Sequence, residues 1–162
     1  MPLDYGASRH GSDMGPSAIR LAGIRTKLEG LGHKIVRSYC PIQIEAQEYA
    51  DIGPNPKAKY LTPIVKACTA LAQEVESAAD ADEFPLVLGG DHSIVLGTLA
   101  GLSASYKKTN KRIGVLYVDA HGDFNTTETT PRGHIHGECL SANTGNENPE
   151  LLNLNHEVQK ID

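Results

Sequence analysis

Hydrophobic residues recur at helical spacing in three segments of the chain. Residues 16–30, 61–79 and 93–106 each carry apolar side chains three or four positions apart, and such residues lie on one face of a helix. The first of these segments begins with Pro16, directly after a glycine, which is typical of a helix start. We therefore predict three helices, with Cys68 as a core side chain of the second.

Three short apolar runs between or beside these helices have the composition of strands. They are residues 34–39, 84–88 and 113–118, the last rich in β-branched residues. Residues 41–60 contain three prolines and many polar side chains, which is typical of a long loop. Alternating strands and helices predict an α/β fold with helices packed on the faces of a parallel sheet.

Length and composition limit the number of domains and the class of protein. The chain has 162 residues, a formal net charge of −5, 40% hydrophobic and 22% charged residues. This is enough chain for one folded domain, and we expect no nucleic-acid or membrane partner because the sequence lacks both a basic run and an apolar run of about 20 residues. Three widely spaced cysteines and the lack of a signal-like N-terminus predict a reducing, cytoplasmic location. Residues 141–162, with five asparagines, predict a loosely held tail.

Two polar loops directly follow predicted strands, and both carry groups that bind metals. The first loop is Gly-Gly-Asp-His-Ser at residues 89–93, and the second is Asp-Ala-His-Gly-Asp at residues 119–123. Ligands in open parallel sheets bind at the carboxyl ends of the strands, where both loops would emerge. In extended backbone Asp119, His121 and Asp123 would point to one side, and His92 would reach them from the neighbouring strand end. Carboxylate and imidazole ligands predict a site for Mn²⁺, with Fe²⁺, Co²⁺ or Zn²⁺ as alternatives.

A threonine-rich loop leaves this predicted metal site and ends at His136. Loops of this composition are usually solvated connections, but here the loop begins at the metal site and is placed to line the same cleft. An imidazole titrates near neutral pH, so His136 is a candidate proton shuttle. The residue type and position fit an ordinary surface histidine equally well.

These motifs resemble the ureohydrolases, and among them the arginases most closely. The similarity covers roughly residues 2–140 and is carried by Leu-Asp-Tyr-Gly near the N-terminus, by Gly-Gly-Asp-His-Ser, by Val-Asp-Ala-His-Gly-Asp-Phe-Asn and by Gly-His-Ile-His-Gly. The resemblance implies a three-layer αβα fold around a parallel sheet, a centre with two manganese ions, and a homo-oligomeric assembly when the domain is complete. It also implies hydrolysis of the guanidinium group of L-arginine to L-ornithine and urea by a hydroxide that bridges the two ions.

The resemblance assigns roles position by position. His92, Asp119 and Asp123 match ligands of one manganese ion, and His121 matches a ligand of the second, with Asp119 bridging the two. Asp123 and His136 match catalytic positions, His136 that of the proton-shuttling histidine. The residues that match contacts to the substrate carboxylate are Asn125, Arg132, Gly133 and His134. Arginases usually have Ser-Gly-Asn where this chain has Arg132-Gly133-His134, so another guanidino substrate, as in agmatinases or guanidinobutyrases, is an alternative.

A second departure concerns the rest of the metal site. The family takes further aspartate ligands from a later strand, and no such motif follows Gly137 in this sequence. We therefore expect residues 1–162 to form an incomplete arginase-like domain that binds at most one divalent ion and has little or no arginase activity. A truncated, non-catalytic metal-binding protein is the alternative from another functional class.

Overall fold

The core of the molecule is a pair of long helices packed against the N-terminal segment. The computed structural model describes residues 1–38, 40, 42–156 and 159–161. Helix α3 is Leu61–Asp80 and helix α4 is Ile94–Lys107, which confirms the helices predicted over 61–79 and 93–106. Cys68 is fully buried, as predicted, and burial raises the pKa of its thiol to about 12. The side chains of α3 that form the core beside it are Ile64, Leu71, Ala72 and Val75.

The helix predicted over residues 16–30 is two helices. Helix α1 is Gly15–Leu21 and helix α2 is Ile24–Gly30. Gly23 between them has a φ of 83°, a left-handed conformation that glycine adopts without steric cost and that interrupts a right-handed helix. Leu21 is 90% exposed, so the apolar face that the spacing predicts is not buried along its length.

No strand is present in the part of the chain that the structure describes, so the predicted parallel sheet is not confirmed. Residues 84–88 and 113–118 carry no regular secondary structure, and neither do residues 34–38, while Tyr39 lies outside the described residues. A strand exists only when its backbone groups pair with a neighbour. No hydrogen bond joins described backbone groups of 84–88 to those of 113–118, although both runs have the composition of strands.

The N-terminal segment lies beside the end of the 84–88 run. The amide of Gly90 donates to the carbonyl of Met1 at 3.4 Å, and the amide of Asp91 donates to the carbonyl of Leu3 at 2.7 Å. A Cβ atom at Gly90 would lie 1.9 Å from the Leu3 carbonyl oxygen, so only glycine permits this approach. Leu3 and Tyr5 are buried in the core, and they fix the segment over the start of α4.

The C-terminal part of the chain returns to the core in short helical turns. Helix α5 is Cys139–Asn143 and helix α6 is Pro149–Leu152. Leu151 and Leu154 are buried in the main cluster, and the predicted looseness of residues 141–162 stays a prediction about behaviour in solution. Among the described residues, no helix is both long and apolar enough to cross a bilayer. The 3-10 turns are Ser12–Met14, Gln47–Tyr49, Ile135–Glu138 and Leu154–His156.

Candidate metal centre

His92 is held at the start of α4 between two buried polar residues. Asp91 accepts hydrogen bonds from the backbone amides of Ala7 at 3.1 Å and Ser93 at 2.8 Å. The same carboxylate accepts a hydrogen bond from the Ser93 hydroxyl. Asp91 therefore ties the N-terminal loop to the first turn of α4, and this fixes the backbone from which the His92 side chain projects.

His92, Asp119 and Asp123 come together as the sequence predicts. One potential ligand atom from each of the three lies within 4.8 Å of the other two. The Nε2 atom of His92 is 3.9 Å from Asp119 Oδ2 and 3.7 Å from Asp123 Oδ2. Two carboxylates and one imidazole at these distances are the oxygen and nitrogen donors that Mn²⁺ and related divalent ions bind. The donor set therefore fits a divalent cation.

Tyr117 connects two of these three residues. Its hydroxyl donates to Asp123 Oδ2 at 2.9 Å and lies 3.3 Å from Nδ1 of His92. Because the hydroxyl gives its only proton to Asp123, the arrangement that satisfies both groups has the Nδ1–H of His92 donating to the hydroxyl oxygen. In that tautomer Nε2 carries the lone pair and faces the two carboxylates, which is the form that a metal requires.

Asp119 and Asp123 reach the site by a turn rather than by extended backbone. Asp119 Oδ1 accepts a hydrogen bond from the backbone amide of His121 at 2.9 Å. This hydrogen bond is the largest of the effects that lower the pKa of the Asp119 carboxyl. Asp123 has a φ of 46°, a left-handed conformation, and its side chain is buried. The simple alternation expected for residues 119, 121 and 123 therefore does not hold through the loop.

His121 lies outside the group of three. Its side chain is 82% exposed, and its Nδ1 atom is 3.4 Å from Asp119 Oδ1. The His121 imidazole therefore lies mostly in solvent and is not a member of the group of three. Its predicted role as a ligand of a second ion stays a prediction.

His136 lies against His92. Its Nδ1 atom is 3.2 Å from Nε2 of His92, and the two ring centroids are 4.8 Å apart. The backbone amide of His136 donates to the carbonyl of Gly6 at 3.4 Å, so the N-terminal loop helps to position it as well as His92. Burial is the main cause that lowers the pKa of the His136 imidazole, with His92 second, and the nearby aspartates oppose both. Burial and the neighbouring His92 therefore favour the neutral form of the ring.

The remaining predicted residues lie on the loop that connects Asp123 to His136. Asn125 donates its backbone amide to the carbonyl of Gly137 at 3.1 Å, and its side-chain oxygen accepts from the Thr129 hydroxyl at 3.4 Å. Arg132 is exposed, whereas His134 is half-buried with its ring centroid 5.9 Å from that of His136. His134 therefore extends the row of imidazoles that begins at His92, while Asn125 and Arg132 lie outside the group of three.

Gly133 is packed against a segment from the long loop before α3. Its φ is 68°, and a Cβ atom would lie 2.0 Å from the carbonyl oxygen of Pro56. The amide of Lys59 donates to the carbonyl of Gly133 at 3.0 Å, and Nζ of Lys57 donates to the carbonyl of Thr130 at 2.6 Å. Burial lowers the pKa of His134, and the charge of Lys59 lowers it further. These contacts hold Lys59 beside the loop residues that sequence analysis singles out.

Tyr117 and Lys59 lie at this site although they could not be identified from the sequence motifs. A signal for Tyr117 was present, because it lies two positions before Asp119 and brings a hydroxyl into an otherwise apolar run. Lys59 had no such signal, since its neighbours in sequence have no relation to either motif. Only the folded contact with Gly133 places Lys59 near the site.

The fold and this geometry define a protein with a candidate divalent-cation site where several loops meet. Comparison with known proteins then gives the family: the Arginase family pattern matches residues 1–157. The arginase of Brevibacillus brevis is 44% identical over 161 residues, which are 99% of this chain and 52% of that protein. The arginase of Bacillus caldovelox is 42% identical with the same coverage. The chain belongs to the arginase family.

Solved structures of arginases have the same fold. A crystal structure of arginase from Bacillus subtilis superposes with a TM-score of 0.86 at 40% identity and covers 100% of this chain and 51% of that one. The arginase of Entamoeba histolytica, crystallised in complex with L-ornithine, superposes with a TM-score of 0.76 at 29% identity and covers 98% and 52%. The described fold is therefore arginase-like, and the chain spans about half the length of the relatives that it matches.

Proposed function

We propose that this chain supplies part of the active site of an arginase, which hydrolyses the guanidinium group of L-arginine to L-ornithine and urea. The observation that carries the proposal is the meeting of His92, Asp119 and Asp123 within 4.8 Å in a member of the arginase family. Their donor atoms favour Mn²⁺ as the ion. When bound, such an ion lowers the pKa of water and so provides a nucleophile near neutral pH.

In this proposal the residues of the chain have separate tasks. The negatively charged carboxylates of Asp119 and Asp123 bind the cation. Tyr117 fixes the orientation of Asp123 and His92. His136 moves a proton, since burial favours the neutral form of its imidazole, which lies 3.2 Å from His92. Asn125, Arg132, Gly133 and His134 belong to the loop that we propose contacts the substrate. His121 is proposed as a ligand of a second ion, which requires its exposed side chain to turn inward.

We also propose a fold and an assembly for the parts of the protein that surround the site. We propose that residues 84–88 and 113–118 are strands of a parallel sheet in an αβα domain, and that a complete assembly is a cytoplasmic homo-oligomer. Support for the sheet comes from the arginase-like fold and the strand-like composition of both runs. The free thiols of Cys40, Cys68 and Cys139 fit a reducing compartment. Because the chain spans half of its relatives, we propose that residues 1–162 form a partial domain with weak activity.

The test combines metal binding with urea release. We expect calorimetric titration with Mn²⁺ to show one site on the 162-residue chain, and Asp119→Asn to weaken it strongly. Asp51→Asn is the matched control, because Asp51 is an exposed aspartate of the loop before α3. Urea release from L-arginine should be far below that of the Bacillus subtilis enzyme measured beside it. Failure to bind Mn²⁺, or equal loss of binding in both variants, would contradict the proposed role.

A specific observation favours a second candidate, a metal-binding protein without catalysis. The described group contains three residues, and the fourth predicted ligand, His121, is 82% exposed. The two candidates differ in one measurement. Detectable urea release that disappears in Asp123→Asn supports the arginase, whereas tight Mn²⁺ binding without any urea supports the second candidate.

A further inference from the structure

Residues 113–118 present an apolar edge next to the candidate metal site. Their sequence is Ile-Gly-Val-Leu-Tyr-Val, and in the part of the chain that the structure describes no hydrogen bond involves their backbone amides or carbonyls. Leu116 is 91% exposed and Val118 is 88% exposed, and in extended backbone these two side chains share one face. A strand-like run with unpaired backbone groups and an apolar face pairs readily with a strand of another chain.

The two ends of this run carry opposite charge. The six residues before it contain four cations and no acid, and all six are exposed. Lys108 pairs with two carboxylates of α3, while Lys111 and Arg112 lie directly before the run. At the other end, Asp119 and Asp123 follow the run and belong to the candidate metal site. The run therefore leads from a basic end to an acidic end.

This charge pattern decides how two copies of the run would pair. In a parallel pair, the cations of both copies would lie side by side, and so would the aspartates of both candidate sites. In an antiparallel pair, the cationic end of each copy lies beside the acidic end of the other, which is favourable at both ends of the pair. A twofold axis near the middle of the run produces the same contact twice. The run is therefore complementary to a second copy of itself in the antiparallel orientation.

The other exposed strand-like run, residues 84–88, lacks this property. It follows two acidic residues and precedes Asp91, so both of its ends are acidic. Its carboxyl end also has a neighbour within the chain, because the amino group of Met1 donates to the carbonyl of Leu88. A second copy would meet like charge at both ends of this run. The self-complementary edge is therefore that of residues 113–118.

We propose that residues 113–118 form an interface between two copies of this chain, in which the runs pair as antiparallel strands and Lys111 and Arg112 of each copy lie beside the candidate metal site of the other. Backbone pairing and contact between exposed apolar side chains hold the dimer, and the charges set its orientation. Because a divalent cation bound to Asp119 and Asp123 neutralises the acidic end, metal binding and dimerisation oppose each other. The interface itself does not depend on the proposed function.

The first experiment measures the association and its orientation. Sedimentation equilibrium of the 162-residue chain without metal should show dimers. A nitroxide label on Ala120→Cys, in a Cys40→Ala background because Cys40 is exposed, reports the orientation by pulsed electron paramagnetic resonance. Antiparallel pairing about the middle of the run places the two labels about 30 Å apart, at about 3.3 Å per residue, whereas parallel pairing places them within about 10 Å. The shorter distance, or a chain that stays monomeric, would overturn the interface.

Two variants separate the apolar contribution from the charged one. Leu116→Lys should weaken dimerisation at least about tenfold, and circular dichroism should show an unchanged fold because this side chain is exposed. Lys111→Glu with Arg112→Glu should weaken dimerisation several-fold at low ionic strength and less at high ionic strength. Lys27→Glu with Lys66→Glu is the matched control, since it makes the same change in net charge at exposed lysines of α2 and α3. Equal weakening by the two charge reversals would contradict the proposed contact.

Mn²⁺ provides a readout that a purely apolar interface would not give. Bound Mn²⁺ should raise the dissociation constant of the dimer several-fold, and the dimer should bind Mn²⁺ more weakly than the monomer by the same factor. His92→Ala keeps both carboxylates but removes a ligand, so Mn²⁺ should lose its effect on dimerisation. Mn²⁺ that binds without weakening the dimer would rule out the contact of Lys111 and Arg112 with the site. If the chain does not bind Mn²⁺, the proposed function fails, and the labels and the charge reversal decide the interface.

Discussion

The Tyr117 hydroxyl contacts two of the three candidate metal ligands. It joins Asp123 at 2.9 Å and His92 at 3.3 Å, and it holds His92 in the tautomer whose Nε2 faces the site. Groups that orient ligands in this way typically contribute about 10- to 100-fold in metal affinity. We expect Tyr117→Phe to weaken Mn²⁺ binding by about this factor, as measured by calorimetric titration. Tyr49→Phe, at an exposed tyrosine, should have no effect, and equal binding by the two variants would contradict the orienting role.

Glu138 is a buried carboxyl group whose two oxygens have no hydrogen-bond partner among the described residues. Burial raises its pKa to about 8, and repulsion from Glu147 contributes. The folded chain therefore retains a proton that the unfolded chain, with a carboxyl pKa near 4.5, releases. The free energy of unfolding accordingly falls as the pH rises from about 4.5 to about 8, by at most about 1.4 kcal/mol per pH unit, and then levels off.

Glu138→Gln removes the carboxyl group, so no proton is released from this position when the chain unfolds. We expect the variant to gain in melting temperature over the unaltered chain as the pH rises from 5 to 8, and the gain to stay constant above about 8. Thermal unfolding followed by circular dichroism at several pH values measures the difference. Glu150→Gln, at an exposed glutamate of α6, should show no such trend. A difference that stays constant between pH 5 and 8 would mean that Glu138 is already ionised in the folded chain.

The meeting of His92, Asp119 and Asp123 could be predicted from the sequence, but the reason for the prediction is only partly correct. His92, Asp119 and Asp123 were predicted to meet because both loops follow predicted strands, and they do meet. Alternation along an extended backbone was expected to add His121, but the hydrogen bond from its amide to Asp119 turns the chain. The sequence motifs identify the candidate metal-donor residues. Local hydrogen bonds such as that from the His121 amide to Asp119 determine which of these side chains face one another.

At the scale of elements, close packing of α3 against α4 depends on two glycines. A Cβ atom at Gly97 would lie 2.5 Å from the Cys68 carbonyl oxygen, and one at Gly101 would lie 2.4 Å from the Ala72 carbonyl oxygen. Both neighbours are backbone atoms, so the helices would have to move apart. Alanine normally favours a helix over glycine by about 1 kcal/mol, and here we expect the clash to outweigh that gain.

We expect Gly97→Ala to destabilise the chain by about 1–3 kcal/mol, which is typical of an overpacked core. Urea unfolding measures the change. Gly30→Ala is the control, because it is also a helical glycine but has no atom within 4 Å of its Cβ position. It should be neutral or slightly stabilising. Equal effects of the two substitutions would show that α3 and α4 have room to separate.

Helices were predicted more accurately than strands because a helix satisfies its own backbone. The helices predicted over 61–79 and 93–106 needed only a surface on which to bury one apolar face. Helices α3 and α4 provide that surface for each other. The runs 84–88 and 113–118 needed backbone partners, and the described chain does not pair them with each other. Composition indicates that a segment is suited to a sheet, but it contains no information about whether the partner strand lies beside it.

Residues 113–118 consequently expose an apolar edge. Leu116 is 91% exposed and Val118 is 88% exposed, and unpaired backbone groups beside such side chains favour association with other strands. We expect the chain to self-associate in a concentration-dependent way, and Leu116→Lys with Val118→Lys to reduce this in light scattering. Leu21→Lys, at an equally exposed leucine of α1, should have a smaller effect because its backbone lies within a helix. Comparable reductions would point to general hydrophobicity instead of the strand edge.

At the scale of the whole molecule, the candidate metal site joins parts of the chain that are distant in sequence. His92 belongs to the start of α4, Asp119 and Asp123 follow the 113–118 run, and His136 precedes α5. The N-terminal loop reaches the same place, since Asp91 accepts the Ala7 amide at 3.1 Å. An ion bound at this point would stabilise the folded chain relative to the unfolded chain, which has no assembled site.

Metal binding should therefore be measurable as a gain in the stability of the folded chain. Mn²⁺ at about 100 times its dissociation constant should stabilise the chain by about 2.7 kcal/mol, and thermal unfolding should show the corresponding rise in melting temperature. Excess chelator should abolish the rise, and so should His92→Ala or Asp123→Asn, because each removes a member of the group of three. His121→Ala is the matched control for His92→Ala, since its imidazole lies outside the group, and it should keep the rise. Loss of the rise in His121→Ala would show that this side chain turns inward to bind the ion, and an unchanged melting temperature in the unaltered chain would mean that the three residues do not hold Mn²⁺.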